Sequence, residues 1–426
     1  MDRTRAAMNA VVRAQLAALT ESAPSTLDLT SALQRQSVQD MALSLLESGA
    51  SVSELDAVDE EVALDGSLPI SVRVATKLAL GRATLAEIEE PLHVSLVLAV
   101  YKEHQRILTA DEHPNGEDFL REKLRQLRWL FSATPRHQWD LTVVDDGCPE
   151  GSGRIAQSIL DECAEPGEEV AVLFLEHAIR DRLPIVGTMA STSESQKGGA
   201  VRLGLWHATR KQRDGYHIAA FTDADLSTHL SQIGLLARPL TEPGIHAAIG
   251  SRRESTSVVV KMGARDARGR LFIYLWKRLA PQLQGIVDTQ CGFKAFEAQH
   301  LRSWIENLHE NGFSFDVEML VRLQLMSPAS VRKVALAWID SEAASTTADL
   351  EPYLPMLQSI AELYRAELPA TEIGDRFAEF IGGLDARSFQ KLADNVPHEL
   401  AARDPAEFDE FDSVTPEELR SAAGRS

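Results

Sequence analysis

The sequence predicts an α/β protein: a mostly parallel, doubly wound sheet flanked by helices, with helical extensions before and after it. Three observations predict this. Strands alternate with helices from His93 onward, an apolar run ends in Asp223-Ala-Asp225, and residues 1–90 carry only helical spacing. In an alternating sheet ligands gather at the carboxyl ends of the strands, so the carboxylate pair stands where a binding site is expected.

Residues 1–90 hold 14 acidic and 7 basic side chains. Val38, Met41, Ala42, Leu45 and Leu46 share one helical face, and Gly49, Gly66 and Pro69 break the run into several short helices. His93 to Val100 reads as the first strand. Gly116 to Phe131 is a helix with Phe119, Leu120, Leu124, Leu127 and Phe131 on one face, and Leu141 to Val144 is the next strand. Ile155 to Cys163 is then a helix, Val170 to Leu175 a strand, Ala200 to Thr209 a helix, and Ile218 to Phe221 the strand feeding the Asp pair. After about residue 345 the chain is helical again. Residues 392–426 carry 9 acidic against 3 basic side chains with Pro397, Pro405 and Pro416, the composition of a mobile acidic tail. The expected division is a helical extension over 1–90, the α/β domain over 91–345, and a helical acidic extension over 346–426.

The 426 residues are 44% hydrophobic and 25% charged, ordinary for a soluble globular protein. A net charge of −20 argues against nucleic-acid binding, which needs a basic face, and points to a small-molecule partner. Cys148, Cys163 and Cys291 lack metal-ligand spacing, so packing in a reducing compartment is expected. Met1 to Thr20 carries Asp2, Arg3, Arg5 and Arg13 without an apolar core, and no run approaches ~18 apolar residues. A cytoplasmic protein without a spanning helix is the expectation.

Two carboxylates one residue apart, as in Asp223 and Asp225, can share a divalent cation, which suits a diphosphate-bearing ligand. An isolated Asp-x-Asp is more often a pair of solvated loop carboxylates. The strand Leu141 to Val144 ends in Asp145-Asp146-Gly147, followed by Pro149-Glu150-Gly151-Ser152-Gly153 and a helix. Carboxylates there can hold the hydroxyls or base edge of a nucleotide, and a plain Asx turn is the alternative. No G-x-G-x-x-G opens the helix after Val100 or after Asp146, which disfavours a dinucleotide fold. Between Arg252 and Arg278 lie 8 basic residues, among them Arg253, Lys261, Arg265, Arg268, Arg270 and Lys277, against Glu254 and Asp266. Such a basic segment suits a phosphate, or else balances acidic flanks.

Together these residues resemble the inverting glycosyltransferases of family 2, with the GT-A fold, and among them the dolichyl- or polyprenyl-phosphate glucosyl- and mannosyltransferases. The matching blocks are Val100-Tyr-Lys-Glu103, Val144-Asp-Asp-Gly147, Lys197-Gly-Gly-Ala-Val-Arg-Leu-Gly204, Asp223-Ala-Asp225, Gly250-Ser-Arg252, Asp288-Thr-Gln-Cys-Gly-Phe-Lys294 and Phe315-Asp-Val-Glu318, in family order over about residues 92–340. The resemblance implies that Asp223 and Asp225 bind Mg²⁺ or Mn²⁺ on the donor diphosphate. It places Tyr101, Glu103, Asp145, Asp146, Lys197 and Arg202 around the donor. Arg252 and Arg253 would hold an acceptor phosphate, with Gln290, Lys294, Asp316 and Glu318 on the acceptor side and Asp288 and Arg252 among the catalytic groups. Lys197 would open a helix whose amides, exposed by Gly198 and Gly199, favour phosphate or a base carbonyl. Phe272, Tyr274, Leu275 and Trp276 would form an amphipathic, membrane-facing helix, with burial against the sheet as the alternative.

The sequence departs from the family at several points. Ala99 stands where a proline is usual, Ser227 where a third metal-side ligand often stands, and Ala343-Ala344-Ser345-Thr346 replaces a Gly-Ser-Lys. A long connection between Leu175 and Lys197 is placed to cover the donor.

The expected activity is metal-dependent, inverting transfer of a hexose from UDP-glucose or GDP-mannose to a phosphate-bearing acceptor, foremost a polyprenyl phosphate met by peripheral membrane contact. A soluble phosphorylated or hydroxyl acceptor is the alternative, and a hydroxyl would need Asp288, Asp316 or Glu318 as base. A silent sugar-nucleotide-binding or scaffold protein is the reading from another class.

Overall fold

The computed structural model describes residues 10–24, 26–260, 266–340 and 353–424. The first nine residues, Lys261, Arg265 and the Ala343 to Thr346 replacement lie outside the described residues. The strands are β1 Leu92–Val100, β2 Gln138–Asp145, β3 Glu169–Phe174, β4 Tyr216–Thr222, β5 Ala247–Ser251, β6 Val258–Val260, β7 Phe293–Glu297, β8 Val331–Ala335 and β9 Ala337–Ile339. The main sheet runs β3-β2-β1-β4-β7-β5-β8, and β6 pairs with β9 beside it. This is the mostly parallel α/β sheet flanked by helices that the alternation of elements predicts.

β1 is central because its run of Leu, Val and Ala is buried on both faces, as a parallel strand covered by helices must be. It pairs in parallel with β2, Val100 opposite Asp145, and with β4, Leu98 opposite Thr222. β7 is antiparallel to β4 and to β5, with Phe293 opposite Thr222 and Lys294 opposite Ile249. That reversal delivers residues 288–292 to the carboxyl edge beside Asp223. At the opposite end of the sheet, buried Asp140 accepts from Ser95 at 2.6 Å, Lys211 at 2.7 Å and Arg213 at 2.9 Å, which ties β1 and β2 to the connection before β4.

Four helices precede the sheet: Ala10–Ser22, Ala32–Glu47, Val52–Leu64 and Ile70–Glu87. Ser51 and Glu54 close a capping box at the third. The fourth lies directly on the helix Ile233–Leu240, where a Cβ at Gly234 would sit 1.9 Å from the Gly81 carbonyl oxygen. Only glycine admits that backbone approach. Arg35 pairs with Glu122 at 3.4 Å across the same junction.

The helix expected from Gly116 begins at Phe119, because Glu117 is drawn into the preceding loop by Arg106, at 2.9 and 3.1 Å. A larger correction concerns the carboxyl-terminal region. The expected mobile tail is folded as helices Ala386–Asp394, His398–Ala402 and Pro416–Ala422, which join Tyr353–Glu367 and Glu372–Gly382 around the helix Asp266–Leu279. Phe272, Tyr274, Leu275 and Trp276 are buried there, with Phe377, Phe408 and Phe411, and the Tyr274 hydroxyl donates to the Val414 carbonyl at 2.7 Å. The predicted membrane-facing surface is therefore interior. Its basic residues are taken as well: Arg268 pairs with Asp394 at 2.8 Å, Lys277 with Asp409 at 2.5 Å, and Arg270 and Arg278 donate to the Ala401 and Phe408 carbonyls. Among the described residues no helix is long and apolar enough to cross a membrane.

Candidate active site

Asp223 and Asp225 follow directly on β4, at the carboxyl edge of the sheet. The Lys197 ammonium bonds Asp223 Oδ1, and Arg106 reaches to 3.9 Å from Asp225 Oδ2. Asp225 Oδ1 accepts the Ser227 amide at 3.0 Å, so Ser227 acts through its backbone. Against Asp223 lies Gly292, where a Cβ would stand 2.3 Å from both carboxylate oxygens. The glycine lets the 288–292 segment close on the acid pair.

The carboxylates expected around the donor divide by what they bond. Asp145 is spent locally: it accepts the amides of Gly147 and Cys148 at 2.9 Å each and of Gly153 at 2.7 Å, shaping the turn and capping the helix Ser152–Cys163. Asp146 accepts from Ser195 Oγ at 2.5 Å and the Lys197 amide at 2.7 Å, so it joins the first crossover to the long connection. Burial pushes its carboxyl up to about 6 against those two bonds. Glu103 lies beside Arg106 at 3.1 Å. Burial, with the charges of Asp225, Glu117 and Asp223, pushes the Glu103 carboxyl up to about 7 in spite of Arg106. Tyr101 is about half exposed at the same edge.

Lys197 has φ of 75°, a strained value for a side-chain-bearing residue, and this turn aims its side chain back at Asp223. In the helix it opens, Gly198–Arg210, part of the expected amide cradle is already occupied. Gly198 packs against the Asn311 and Gly312 carbonyls, and the amides of Gln196 and Gly199 both donate to Asn311 O, at 2.9 and 3.1 Å. Arg202 is likewise committed, donating to the Asn311 side chain and to the carbonyls of Leu308 and Ile185. Arg202 thus ties the helix to the 308–311 loop.

Arg252 and Asp288 meet each other. The Arg252 backbone amide, Nε and Nη2 donate to Asp288 at 2.8, 2.9 and 2.7 Å, and the guanidinium lies 5.2 Å from the Trp338 ring centre. Burial alone would raise the Asp288 carboxyl, but Arg252 outweighs it and holds it well below the usual range. This clamp joins the end of β5 to the segment entering β7. Lys294, wholly buried, donates to Cys291 O at 2.6 Å and to Asp316 at 3.2 Å, while Gln290 bonds the other Asp316 oxygen. Burial raises the Asp316 carboxyl. Glu318 accepts the amides of His309 and Glu310 and pairs with Arg322 at 3.1 Å. Neither Glu318 nor Asp288 has the uncommitted oxygen that a general base needs. Arg253 is different: among the described residues no acidic side chain pairs with its guanidinium.

Arg106 and Lys123 complete the surroundings and had not been singled out from the sequence. Arg106 stands three residues after Glu103. Lys123 interrupts the apolar face of Phe119, Leu120, Leu124 and Leu127, and a lysine in such a stripe is the signal of a buried cation.

A sheet of this order with a carboxylate pair and basic groups at its carboxyl edge is an arrangement that can hold a nucleotide-sugar. No protein-family model matches the chain. It is 29% identical over 313 residues to the dolichyl-phosphate beta-glucosyltransferase of Drosophila melanogaster, spanning 72% of this chain and 81% of that one. The protein of the same name from Saccharomyces cerevisiae is 27% identical over 260 residues, 59% of this chain and 68% of that one. Among solved structures, glucosyl-3-phosphoglycerate synthase from Mycobacterium tuberculosis, with Mn²⁺, UDP and glucosyl-3-phosphoglycerate, covers 69% of this chain and 85% of that chain at 20% identity and a TM-score of 0.44. That likeness assigns no residue here. The chain is thus similar over most of its length to dolichyl-phosphate beta-glucosyltransferases, which supports a glycosyltransferase.

Proposed function

We propose that the chain moves a hexose from UDP-glucose or GDP-mannose, with inversion, to an acceptor bearing a phosphate. The observation that carries this reading is the convergence of Asp223, Asp225, Lys197, Arg106, Glu103 and Asp146 on one edge of the sheet. Asp223 and Asp225 fit a divalent cation by their hard oxygen donors, and two carboxylates leave the rest of the shell to phosphate oxygens and water. Among the described residues no group of three or more His, Cys, Asp or Glu is arranged to hold a metal. Bound Mg²⁺ or Mn²⁺ would supply charge for the departing nucleoside diphosphate. Lys197 adds a positive group at the same edge, and Asp146 holds its backbone in place. A phosphate acceptor is already ionised near neutral pH, so in-line attack needs alignment more than a base. That agrees with the engagement of Asp288 and Glu318 elsewhere.

The names of the relatives make a polyprenyl phosphate the first acceptor to test. Burial of Phe272, Tyr274 and Trp276 beneath the carboxyl-terminal helices favours, as a second reading, an acceptor that meets the enzyme in water. Purified protein is assayed with both donors against a short-chain polyprenyl phosphate and a soluble phosphomonoester, with and without chelator. Transfer that requires metal and is abolished by Asp225→Asn is expected. Full turnover in chelated protein removes the metal from the reading, and no turnover of any donor removes the function.

A further inference from the structure

Lys123 lies in the helix Phe119–Phe131, entirely buried, and its ammonium donates to one acceptor, the Thr228 carbonyl, at 3.1 Å. Among the described residues no carboxylate lies within ion-pair distance of it. A buried ammonium bonded to a single neutral carbonyl costs several kcal/mol by desolvation, so a leucine or methionine would be the more stable choice in this apolar stripe. Something else retains the charge. The carbonyl it holds is three residues beyond Asp225, in a loop pinned on every side: Gln126 takes the Leu230 amide at 3.0 Å, Gln232 donates to Thr228 Oγ1 at 2.8 Å and to Ala337 O at 3.0 Å, and the Ile339 amide donates to Ser227 O at 2.8 Å. The carboxylates that act on Lys123 are Asp225, Asp223 and Glu122. Of these, Glu122 is already served by Arg35 and Arg125. Asp223 is met by Lys197 and Asp225 by Arg106 at 3.9 Å, so Lys123, whose carbonyl partner lies three residues beyond Asp225, adds a third positive charge to that pair.

We propose that Lys123 is a positioning residue that acts as a buried counter-charge to Asp223 and Asp225, lowering their affinity for a bare divalent cation so that the cation is held firmly only together with a nucleoside diphosphate. The inference rests on the reading of the Asp pair as the cation and donor site. Its chemistry is electrostatic. Without Lys123 two carboxylates act on an incoming cation with less opposition, and the low-dielectric path beneath the loop transmits that change effectively. Desolvation pushes the lysine down to about 8 against the pull of the two aspartates, which leaves it charged at neutral pH. A structural role and an electrostatic role predict opposite results. Loss of a loop anchor weakens cation binding, whereas loss of a counter-charge strengthens it.

The experiment measures Mn²⁺ binding by calorimetry in the full-length protein, alone and with UDP, for wild type, Lys123→Gln, Lys123→Met and Lys123→Arg. The glutamine amide can keep the Thr228 bond while removing the charge, and circular dichroism checks the fold of each variant. In Lys123→Gln, Mn²⁺ without UDP should bind about tenfold more tightly, and the enhancement of Mn²⁺ binding by UDP should shrink correspondingly. Lys123→Arg should stay near wild type. Unchanged or weaker Mn²⁺ binding in folded Lys123→Gln overturns the proposal while leaving the site reading intact. If wild type fails to bind Mn²⁺ even with UDP, the reading of the Asp pair falls, and the proposal falls with it.

Discussion

Replacing Asp288 with Asn tests whether this residue belongs to the chemistry or to the frame. Asp288 is 4% exposed and receives three hydrogen bonds from Arg252. In the variant the guanidinium keeps the face of Trp338, worth about 0.5–2 kcal/mol, but loses its counter-charge. Breaking one partner of a buried pair costs about 3–5 kcal/mol, since the other charge stays desolvated. Removing both charges with volume-matched apolar residues, Arg252→Met with Asp288→Leu, should recover most of that loss, a coupling of about 2 kcal/mol or more. Urea unfolding at pH 7 with an unchanged slope is the assay. The pH dependence has a definite sign. The folded carboxyl is held below its unfolded value, so its contribution is present above about pH 4 and is lost as the pH falls further. The wild-type advantage over Asp288→Asn should therefore be constant from pH 7 to about 5 and shrink below. A variant within about 0.5 kcal/mol of wild type that has lost all turnover would refute the clamp and return Asp288 to catalysis.

Glu103 titrates near 7, so if its carboxylate receives donor hydroxyls, the donor KM should fall as pH rises from 6 to 8, and Glu103→Gln should flatten that profile. Trp276→Ala should destabilise the protein by about 3–5 kcal/mol in urea unfolding, without exposing a liposome-binding defect, because the ring is fully buried. Arg253→Ala should raise the acceptor KM while leaving donor KM near wild type, whereas Arg268→Gln, whose partner is Asp394, should change neither.

The strand and helix order was legible because each element carries its own period: the β1 run has no polar break longer than one residue, and the helix Phe119–Phe131 repeats its apolar positions at three and four. The Asp pair was legible because it follows directly on such a strand. What could not be read was partnership at long range. Arg252 and Asp288 stand 36 residues apart, and only the antiparallel entry of β7 brings them together. Arg202 looks equally suited to phosphate or to carbonyls in the sequence, and the 308–311 loop decides for carbonyls. Gly198 and Gly199 resemble an open anion cradle, yet the space they free is filled by Asn311 and Gly312 at the first and by Ser195 and Met189 at the second. The apolar stripe around Trp276 has the composition of an interfacial helix, and nothing local distinguishes lipid from protein as its cover.

The charge anomaly has the same origin. In the sequence, a segment carrying 8 basic residues within a chain of −20 reads as a phosphate or membrane site, and the 9 acidic residues of 392–426 as a mobile tail. In the folded chain the two meet: Asp394 takes Arg268, Asp409 takes Lys277, and carbonyls of the same region take Arg270 and Arg278. The ion pairs near the surface contribute little stability, but the helix beneath them contributes a wholly buried Trp276 and Tyr274 to the core, so cover and helix are held chiefly by apolar burial. Salt alone should not separate them, since screening leaves that burial in place. The basic helix is thus unavailable to an anionic surface without partial unfolding. If the acceptor bears a phosphate, as proposed, the positive groups left for it lie closer to the sheet, with Arg253 the first to test.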